Sequence, residues 1–284
     1  MSAAPFSLQW TASERAADLN AAEREGLDLL VIGGGITGAG VLRDAASRGL
    51  RALLVERDDF ASGTSGRSSK LIHGGLRYIG EGQLGLTREA CRERDLLVRL
   101  NPNLVQRMPF LLPAYRDSGV PLWQVRAALL VYAGLANLRR SARFRMLSPE
   151  QVARLSRDLR SEGLRGAGMY WDAQVDDARL VIETLRSART LGGGAVSQAE
   201  VASILVDDRG QVVGAQVRDP STGRARDLRA SVVVNAAGPS VERVRELAAP
   251  LPRRELRPAK GVHLVLPRER LHLEAAVGFQ AADG

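Results

Sequence analysis

Leu-Asp-Leu-Leu-Val-Ile-Gly-Gly-Gly-Ile-Thr-Gly-Ala-Gly, residues 27–40, reads as a buried apolar strand running into a glycine turn and then a helix. Gly33, Gly35 and Gly38 give the spacing G-x-G-x-x-G: a tight turn, close backbone approach to a pyrophosphate, and close packing of helix on strand. The helix predicted over residues 36–48 begins at Ile36 and Thr37, so its unpaired N–H groups and the positive end of its dipole face the phosphates, and Gly49 stops it. A second strand, residues 51–56, ends in Glu56, about twenty residues past the glycines, where a carboxylate accepts the ribose hydroxyls. Strand, turn, helix and acid agree on an α/β dinucleotide-binding unit, against the alternative of a plain structural turn. They do not choose between a nicotinamide and a flavin.

The next segment makes that choice. Residues 58–78, Asp-Asp-Phe-Ala-Ser-Gly-Thr-Ser-Gly-Arg-Ser-Ser-Lys-Leu-Ile-His-Gly-Gly-Leu-Arg-Tyr, hold no apolar period long enough for a crossover helix. They supply Thr64, Ser65, Ser68, Ser69, Lys70, Leu71, His73, Gly74, Gly75, Arg77 and Tyr78 instead, which suits a loop laid against a long polar cofactor. This run resembles the signature of FAD-dependent glycerol-3-phosphate dehydrogenases, flavin enzymes that pass electrons from glycerol 3-phosphate to a quinone. Gly66 stands where serine is expected, at the cost of at most one hydroxyl contact. The resemblance continues through Val-Asp-Asp-Ala-Arg-Leu-Val at 175–181, Val-Asn-Ala-Ala-Gly-Pro at 234–239 and Lys-Gly-Val-His-Leu-Val-Leu-Pro at 260–267, covering nearly all of the chain from residue 27 on.

The resemblance implies a Rossmann-like FAD-binding domain of the two-dinucleotide-binding-domain flavoprotein type, with an inserted β-meander and the start of a mixed-sheet substrate domain. On that plan residues 1–26 are an N-terminal tail, with a packing helix around 12–24; residues 27–110 and 166–245 form the FAD-binding domain with its meander at 195–229, and 111–165 and 246–284 belong to a substrate or cap domain. In those folds the entry strand of the meander passes the adenine, which makes the backbone of Val201 a contact. The strand at 231–238 breaks into small residues that let it approach the cofactor phosphates, so Ala237 and Gly238 are flavin neighbours, although a plain strand-to-turn transition has the same composition. The resembled family continues beyond this point with further substrate strands, an arginine-containing loop and a Gly-Gly-Lys segment. That implies a truncated reading frame or a fragment of a longer protein, with part of the flavin and phosphate sites missing.

Composition narrows the partners. The 284 residues are 45 % hydrophobic and carry a net charge of +8. The arginines are scattered and no stacking aromatics are interleaved with them, which argues against nucleic acid. An anionic substrate and an anionic membrane surface are both compatible with the charge. No apolar run is long enough to span a bilayer and the N-terminus lacks a signal-peptide core. The single cysteine, Cys91, excludes an internal disulfide, fits a reducing cytoplasm and is read as structural. Only Lys70 and Lys260 are lysines in a chain that otherwise uses arginine. Both fall in the quoted segments, where a compact charge fits and a planar guanidinium would clash.

Further along, residues 83–100 read as a helix with a solvated charged face and Leu84, Leu86, Ala90, Leu96, Leu97 and Leu100 as its apolar side. Residues 108–113 read as a short edge strand between prolines. A helix over 121–140 ends in a basic turn and is either packed on the domain or a membrane-surface element; the resemblance raises the second option, a cytoplasmic protein held peripherally at the inner face of the plasma membrane. Ser148 followed by Pro149 starts another helix. Asp176 and Asp177 open one that runs to Leu191. Alternation at 257–267 predicts a strand carrying Lys260 and His263, and His272 is read as a surface residue.

Oxidising a secondary alcohol needs a base for the hydroxyl proton and a hydride acceptor, and a phosphorylated substrate needs cationic clamps. Flavin N5 is the expected acceptor. Histidine, with a reference pKa of about 6.5, suits the proton, with His263 first and His73 second. Arg77 with Tyr78 is expected to hold the phosphate, and Lys260 to assist there or at the flavin. No metal is called for, the acceptor beyond the flavin is a quinone by resemblance, and an oligomer is compatible. The alternatives are a related FAD-dependent hydroxy-acid or amine oxidase, which releases peroxide, and a non-catalytic nucleotide-binding remnant.

Overall fold

The computed structural model describes residues 10–117, 119–136, 143–220, 222–250, 253, 255–259 and 261–279. The chain divides into two compact units, one formed by Met1–Ser68 with Asp177–Gly261 and the other by Ser69–Asp176 with Val262–Gly284.

The first unit is built on a six-stranded sheet in the order Gly194–Val196, Ala52–Val55, Leu27–Ile32, Ala225–Asn235, Val212–Arg218, Glu200–Val206. The first four strands are parallel and the last two antiparallel. Side chains alternate across it with the two-residue period of a strand. Leu29, Val31 and Leu54 pack with Ala39, Leu42, Val181 and Leu185 of the helices Ile36–Ser47 and Asp177–Thr190 on one face. Leu30, Ile32, Leu53 and Val55 pack with Leu19 and Ala22 of the helix Ala12–Glu25 on the other. Burying each of these branched side chains contributes about 1.5–3 kcal/mol. Both faces are covered, which is why the strand at 27–32 is apolar almost throughout.

The helix Ala12–Glu25 starts in a capping box between Thr11 and Glu14. Its Asp18 pairs at 3.0 Å with Arg189, both side chains being almost wholly buried, and the Arg189 guanidinium lies 5.4 Å from the Trp10 ring centroid. The helix expected around residues 12–24 is therefore formed, and it seats the N-terminal segment on this face of the sheet.

The second unit holds a sheet ordered Ala276–Val277, Val105–Tyr115, Leu164–Val175, Leu71–Ile72, with Arg145–Leu147 also paired to Leu164–Val175. Its backbone is the long antiparallel pair running from Val105↔Val175 to Tyr115↔Leu164. Phe110, Val125, Leu129, Tyr132 and Tyr170 pack together with the helices Leu84–Leu100 and Leu122–Leu135 on one face. The sequence-based plan assigned residues 71–72, 105–110 and 166–175 to one domain and 111–165 to another; in the structure one sheet joins them, because Leu71–Ile72 and Val105–Tyr115 both pair with Leu164–Val175. The strand expected at 108–113 is longer, spanning Val105–Tyr115, and it is flanked on its second side only at Phe110 and Leu111. Its prolines are tolerated because that side is otherwise without a ladder among the described residues.

The helix start at Ser148 is as expected, with Pro149 at its first position and Gln151 closing a capping box. Much of the predicted basic turn after Leu135, residues 137–142, lies outside the described residues. No helix among the described residues is long and apolar enough to cross a membrane. The strand expected at 257–267 is not formed by its described residues: Val262, Leu264 and Val265 are 77–95 % exposed. An alternating pattern becomes a strand only where another strand pairs with it, and none does here among the described residues.

Candidate functional site

In the first unit the fingerprint glycines sit where a side chain would collide. Gly33 has φ +113°, and a Cβ there would lie 2.6 Å from the Ala236 carbonyl oxygen. A Cβ on Gly38 would overlap the Gly33 carbonyl oxygen, and one on Gly35 would lie 3.0 Å from Ser65 Oγ. Strand, turn and helix thus approach as closely as backbones can. Gly35 is the N-cap of the helix Ile36–Ser47 and brings no side chain to it. The Ile36 N–H donates to Ser65 Oγ at 3.0 Å. The first intrahelical bond is Ala39 N–H to Gly35 O, so the N–H groups of Thr37 and Gly38 precede it. Such a terminus carries about half a positive charge and favours an anion.

Glu56 follows the strand Ala52–Val55 directly and is half-buried. Its carboxylate accepts from Gly34 N–H at 2.6 Å and from Asp58 N–H at 2.9 Å. Two backbone donors fix the side chain beside the glycine turn, with further lone pairs on each oxygen for a hydroxyl. The Glu56 backbone also bonds Val196 and Ala199, tying the acid to the start of the meander, whose strand Glu200–Val206 carries Val201. Thr64, Ser65 and Gly66 form a short 3-10 turn. Ser68 donates through N–H and Oγ to Asp177 Oδ2, at 3.0 and 2.7 Å. Asp177, expected to cap its own helix, therefore also ties down the polar loop. Across the sheet, Ala236 N–H bonds Ile32 O and brings Ala237 to the glycine turn. Gly238 adopts φ +53° and opens a 3-10 turn.

In the second unit, exposed Ser69 is followed by Lys70, which holds φ +58°. That left-handed conformation is uncommon for a residue with a side chain and clusters at functional positions. Lys70 O accepts from Val175 N–H at 2.9 Å, and Leu71 and Ile72 pair with Gln174 and Ala173. The strand ends in His73, which is exposed, then Gly74 and Gly75, which are buried. The His73 and Tyr78 rings are 6.3 Å apart, and the Arg77 guanidinium is 5.6 Å from the Tyr78 ring centroid.

Gly74 rests on a buried polar cluster that the sequence reading missed. Asp172 Oδ1 accepts from Arg94 Nη1 at 2.5 Å, from Tyr132 Oη at 2.7 Å and from Gly74 N–H at 3.1 Å. Arg94 and Asp172 are both fully buried. Burial opposes the Arg94 charge, but the carboxylates of Asp172 and Asp95 around it more than compensate and raise its pKa. Burial, and then the Asp172 charge, push the Tyr132 hydroxyl far above its usual range, so it stays protonated and donates. Asp172 Oδ2 is buried with no partner among the described residues, a cost of about 1–3 kcal/mol.

Comparison with known proteins sets this geometry in context. A family model described as FAD dependent oxidoreductase matches residues 28–283. The chain belongs to that family. Among similar proteins, this family member is 40 % identical over 257 residues to an alpha-glycerophosphate oxidase of Enterococcus casseliflavus, covering 89 % of this chain and 42 % of that protein. It is 36 % identical over 257 residues to an aerobic glycerol-3-phosphate dehydrogenase of Staphylococcus haemolyticus, covering 90 % and 46 %. The glycerol-3-phosphate dehydrogenase of Bacillus halodurans, solved with FAD, superposes with a TM-score of 0.67 at 34 % identity, over 85 % of this chain and 40 % of that one. The chain thus spans less than half the length of these relatives.

FAD fits the residues present. The glycine turn admits backbone and nothing larger, the helix end offers N–H groups, and the Glu56 carboxylate is held beside them. His263 stands on an exposed, irregular stretch of the second unit and makes no hydrogen bond or ion pair among the described residues. Lys260 lies outside the described residues. His272 is exposed, as expected, and its ring is 3.3 Å from Asp158.

Proposed function

We propose that this chain is the flavin-holding portion of an enzyme that oxidises sn-glycerol 3-phosphate to dihydroxyacetone phosphate. The observation that carries the reading is the occurrence, in one sequence, of a dinucleotide cradle and a basic and imidazole-bearing turn, Lys70 to Tyr78, in a chain whose relatives bear the names alpha-glycerophosphate oxidase and glycerol-3-phosphate dehydrogenase. Bound FAD supplies a two-electron acceptor for the hydride leaving the carbinol carbon. The protein's own part is to place the alcohol and move its proton.

Gly33, Gly35, Gly38 and the N–H groups of Ile36 and Thr37 hold the pyrophosphate, and Glu56 the adenosine ribose. Val201, Ala237 and Gly238 line the cofactor from the meander and the last sheet strand, and Thr64, Ser65, Ser68, Ser69, Lys70, Leu71, Gly74 and Gly75 from the polar loop. Arg77 and Tyr78, aided by Lys260, bind the substrate phosphate through charge-assisted hydrogen bonds. His73 and His263 are the two candidates for the hydroxyl proton; the fixed turn beneath His73 favours it, because a base acts only from a fixed position.

Both oxidase and dehydrogenase names occur among the relatives, so the acceptor after the flavin is oxygen or a quinone. Trp123 and Leu130, 68 % and 54 % exposed on the helix Leu122–Leu135, support a peripheral membrane position near a quinone pool,. In the test, glycerol 3-phosphate is added anaerobically to the purified full-length flavoprotein. The visible flavin bands should bleach, and bands that persist refute the substrate. Readmitted air yields peroxide stoichiometrically if oxygen is the acceptor, and a soluble quinone restores the bands without peroxide otherwise.

A further inference from the structure

We infer that Asp172, with Arg94 and Tyr132, is a positioning device for the His73–Gly74–Gly75 turn, acting on the reaction through the backbone of that turn rather than by touching substrate. The inference rests on the reading of His73 as the proton acceptor given above.

The first ground is convergence. Asp172 comes from the strand Leu164–Val175, Arg94 from the helix Leu84–Leu100 and Tyr132 from the helix Leu122–Leu135. All three meet at one carboxylate oxygen of Asp172, and the third partner of that oxygen, after Arg94 and Tyr132, is the Gly74 N–H. Two more side chains of the same long helix finish the job. Cys91 Sγ donates to Gly74 O at 3.4 Å, and Thr87 Oγ1 to Gly75 O at 3.2 Å. The N–H and carbonyl of Gly74 and the carbonyl of Gly75 are thereby all bonded to side chains buried beneath them.

The second ground is fit. A Cβ on Gly74 would overlap Tyr132 Oη and lie 2.6 Å from Cys91 Sγ and 2.8 Å from Arg94 Nη1, while Gly75 takes φ +77°. The turn is seated on the cluster with no slack, and its one outward-facing neighbour is the exposed His73. The third ground is that the cluster is poorly made for stability alone. A buried ion pair is weak evidence of stabilisation, and this one leaves Asp172 Oδ2 without a partner among the described residues,. Three well-packed apolar side chains would fill the same space without an orphan acceptor. They could not hold an N–H.

The experiment uses the full-length holoenzyme with Asp172→Asn, Arg94→Lys and Tyr132→Phe. Tyr132→Phe keeps the ring and the ion pair and removes one donor, so it tests the idea even if the charge variants fail to fold. Amide hydrogen exchange of the peptide spanning residues 71–79 reads the turn directly, with or without substrate. It should quicken in every variant that folds, while the strand Leu27–Ile32 in the other unit stays protected. In steady state, kcat should fall about tenfold in Tyr132→Phe and up to about a hundredfold in Asp172→Asn, with KM for glycerol 3-phosphate within about twofold and FAD content unchanged, since a misplacement of an ångström costs rate before it costs binding. Arg94→Lys, which keeps the charge, should fall between Asp172→Asn and the parent. Unchanged exchange at residues 71–79 in Tyr132→Phe overturns the inference, and so does a loosened turn with parental kcat. A parent enzyme whose flavin glycerol 3-phosphate cannot reduce would instead refute the substrate reading, and the exchange result would still decide whether the cluster holds the turn.

Discussion

Replacing Gly33 with alanine tests the cradle with a single methyl group. At φ +113° an alanine sits outside the conformations its Cβ allows, a strain of about 1–3 kcal/mol. The same Cβ would lie 2.6 Å from Ala236 O, 2.8 Å from Ala236 C and 3.0 Å from Ala237 Cα. These are backbone atoms of the neighbouring strand end, which no rotamer change can move aside, so overpacking adds about 1–3 kcal/mol. The sum is roughly 2–6 kcal/mol, a large share of the roughly 5–15 kcal/mol that holds a typical domain folded. Gly40, seven residues on and exposed in the helix Ile36–Ser47, meets nothing within 4 Å. There the identical change should add about 1 kcal/mol of helix propensity. Urea titration of the FAD-free protein, followed by circular dichroism, should move the midpoint down for Gly33→Ala and up for Gly40→Ala, and FAD titration should show weakened binding only in the first. A Gly33→Ala protein within about 0.5 kcal/mol of the parent would refute the steric account of the turn.

Four further outcomes are expected. Glu56→Gln removes the charge held by the Gly34 and Asp58 N–H groups and should weaken FAD binding about tenfold to a hundredfold, in keeping with the roughly 1.5–3 kcal/mol of a charged hydrogen bond; fluorescence titration measures it, and parental affinity would remove Glu56 from the ribose role. Under the proposed chemistry, His73→Ala should lower kcat about a hundredfold with flavin retained and His263→Ala should do less, whereas Arg77→Ala should chiefly raise KM; the reverse order for the histidines would transfer the proton role to His263. Arg189→Met removes the buried cation 3.0 Å from Asp18 and should cost about 3–5 kcal/mol, while the double change with Asp18→Leu should recover most of it; equal losses in urea titration would contradict the pairing. Burial raises the pKa of the Cys91 thiol, so at neutral pH it stays protonated and should react with a disulfide reagent only after the second unit unfolds; rapid labelling of native protein would show the helix seated differently.

The parts of the fold legible in the sequence are those whose cause lies within a few residues. The strand at 27–32, the turn at Gly33–Gly35, the following helix and Glu56 form one local unit, and each piece has a periodicity or a cap of its own. The meander at 195–229 was expected from the resemblance, but the sequence did not reveal that residues 225–235 form one strand or that Gly194–Val196 pairs separately with Ala52–Val55. Pairing partners are distant in the chain and leave no local mark. The helix Leu84–Leu100 shows the sharper failure. Leu84, Leu86 and Leu100, read as its apolar side, are exposed, and Thr87, Cys91 and Arg94 are buried. An arginine among arginines looks solvated; Asp172, seventy-eight positions away, joins the neighbouring Asp95 in compensating its burial. The missed cluster was thus invisible because its logic is an ion pair across two elements. A signal did exist in Gly74 and Gly75, where adjacent glycines mark a backbone that something presses against.

The strand Ala225–Asn235 runs antiparallel to Val212–Arg218 over its first five residues and parallel to Leu27–Ile32 from Ala230 on. One unbroken ribbon therefore serves the excursion and the nucleotide cradle alike, and the two share a phase. A peptide spliced in at Thr222, in the exposed hairpin tip, leaves that phase untouched, so the tip is a natural place for a tag or a reporter. One residue added beside Arg229 would turn every side chain beyond it to the opposite face and shear Ala236 away from Gly33. For anyone re-engineering this scaffold, the outer loop is open territory and the middle of the ribbon is not.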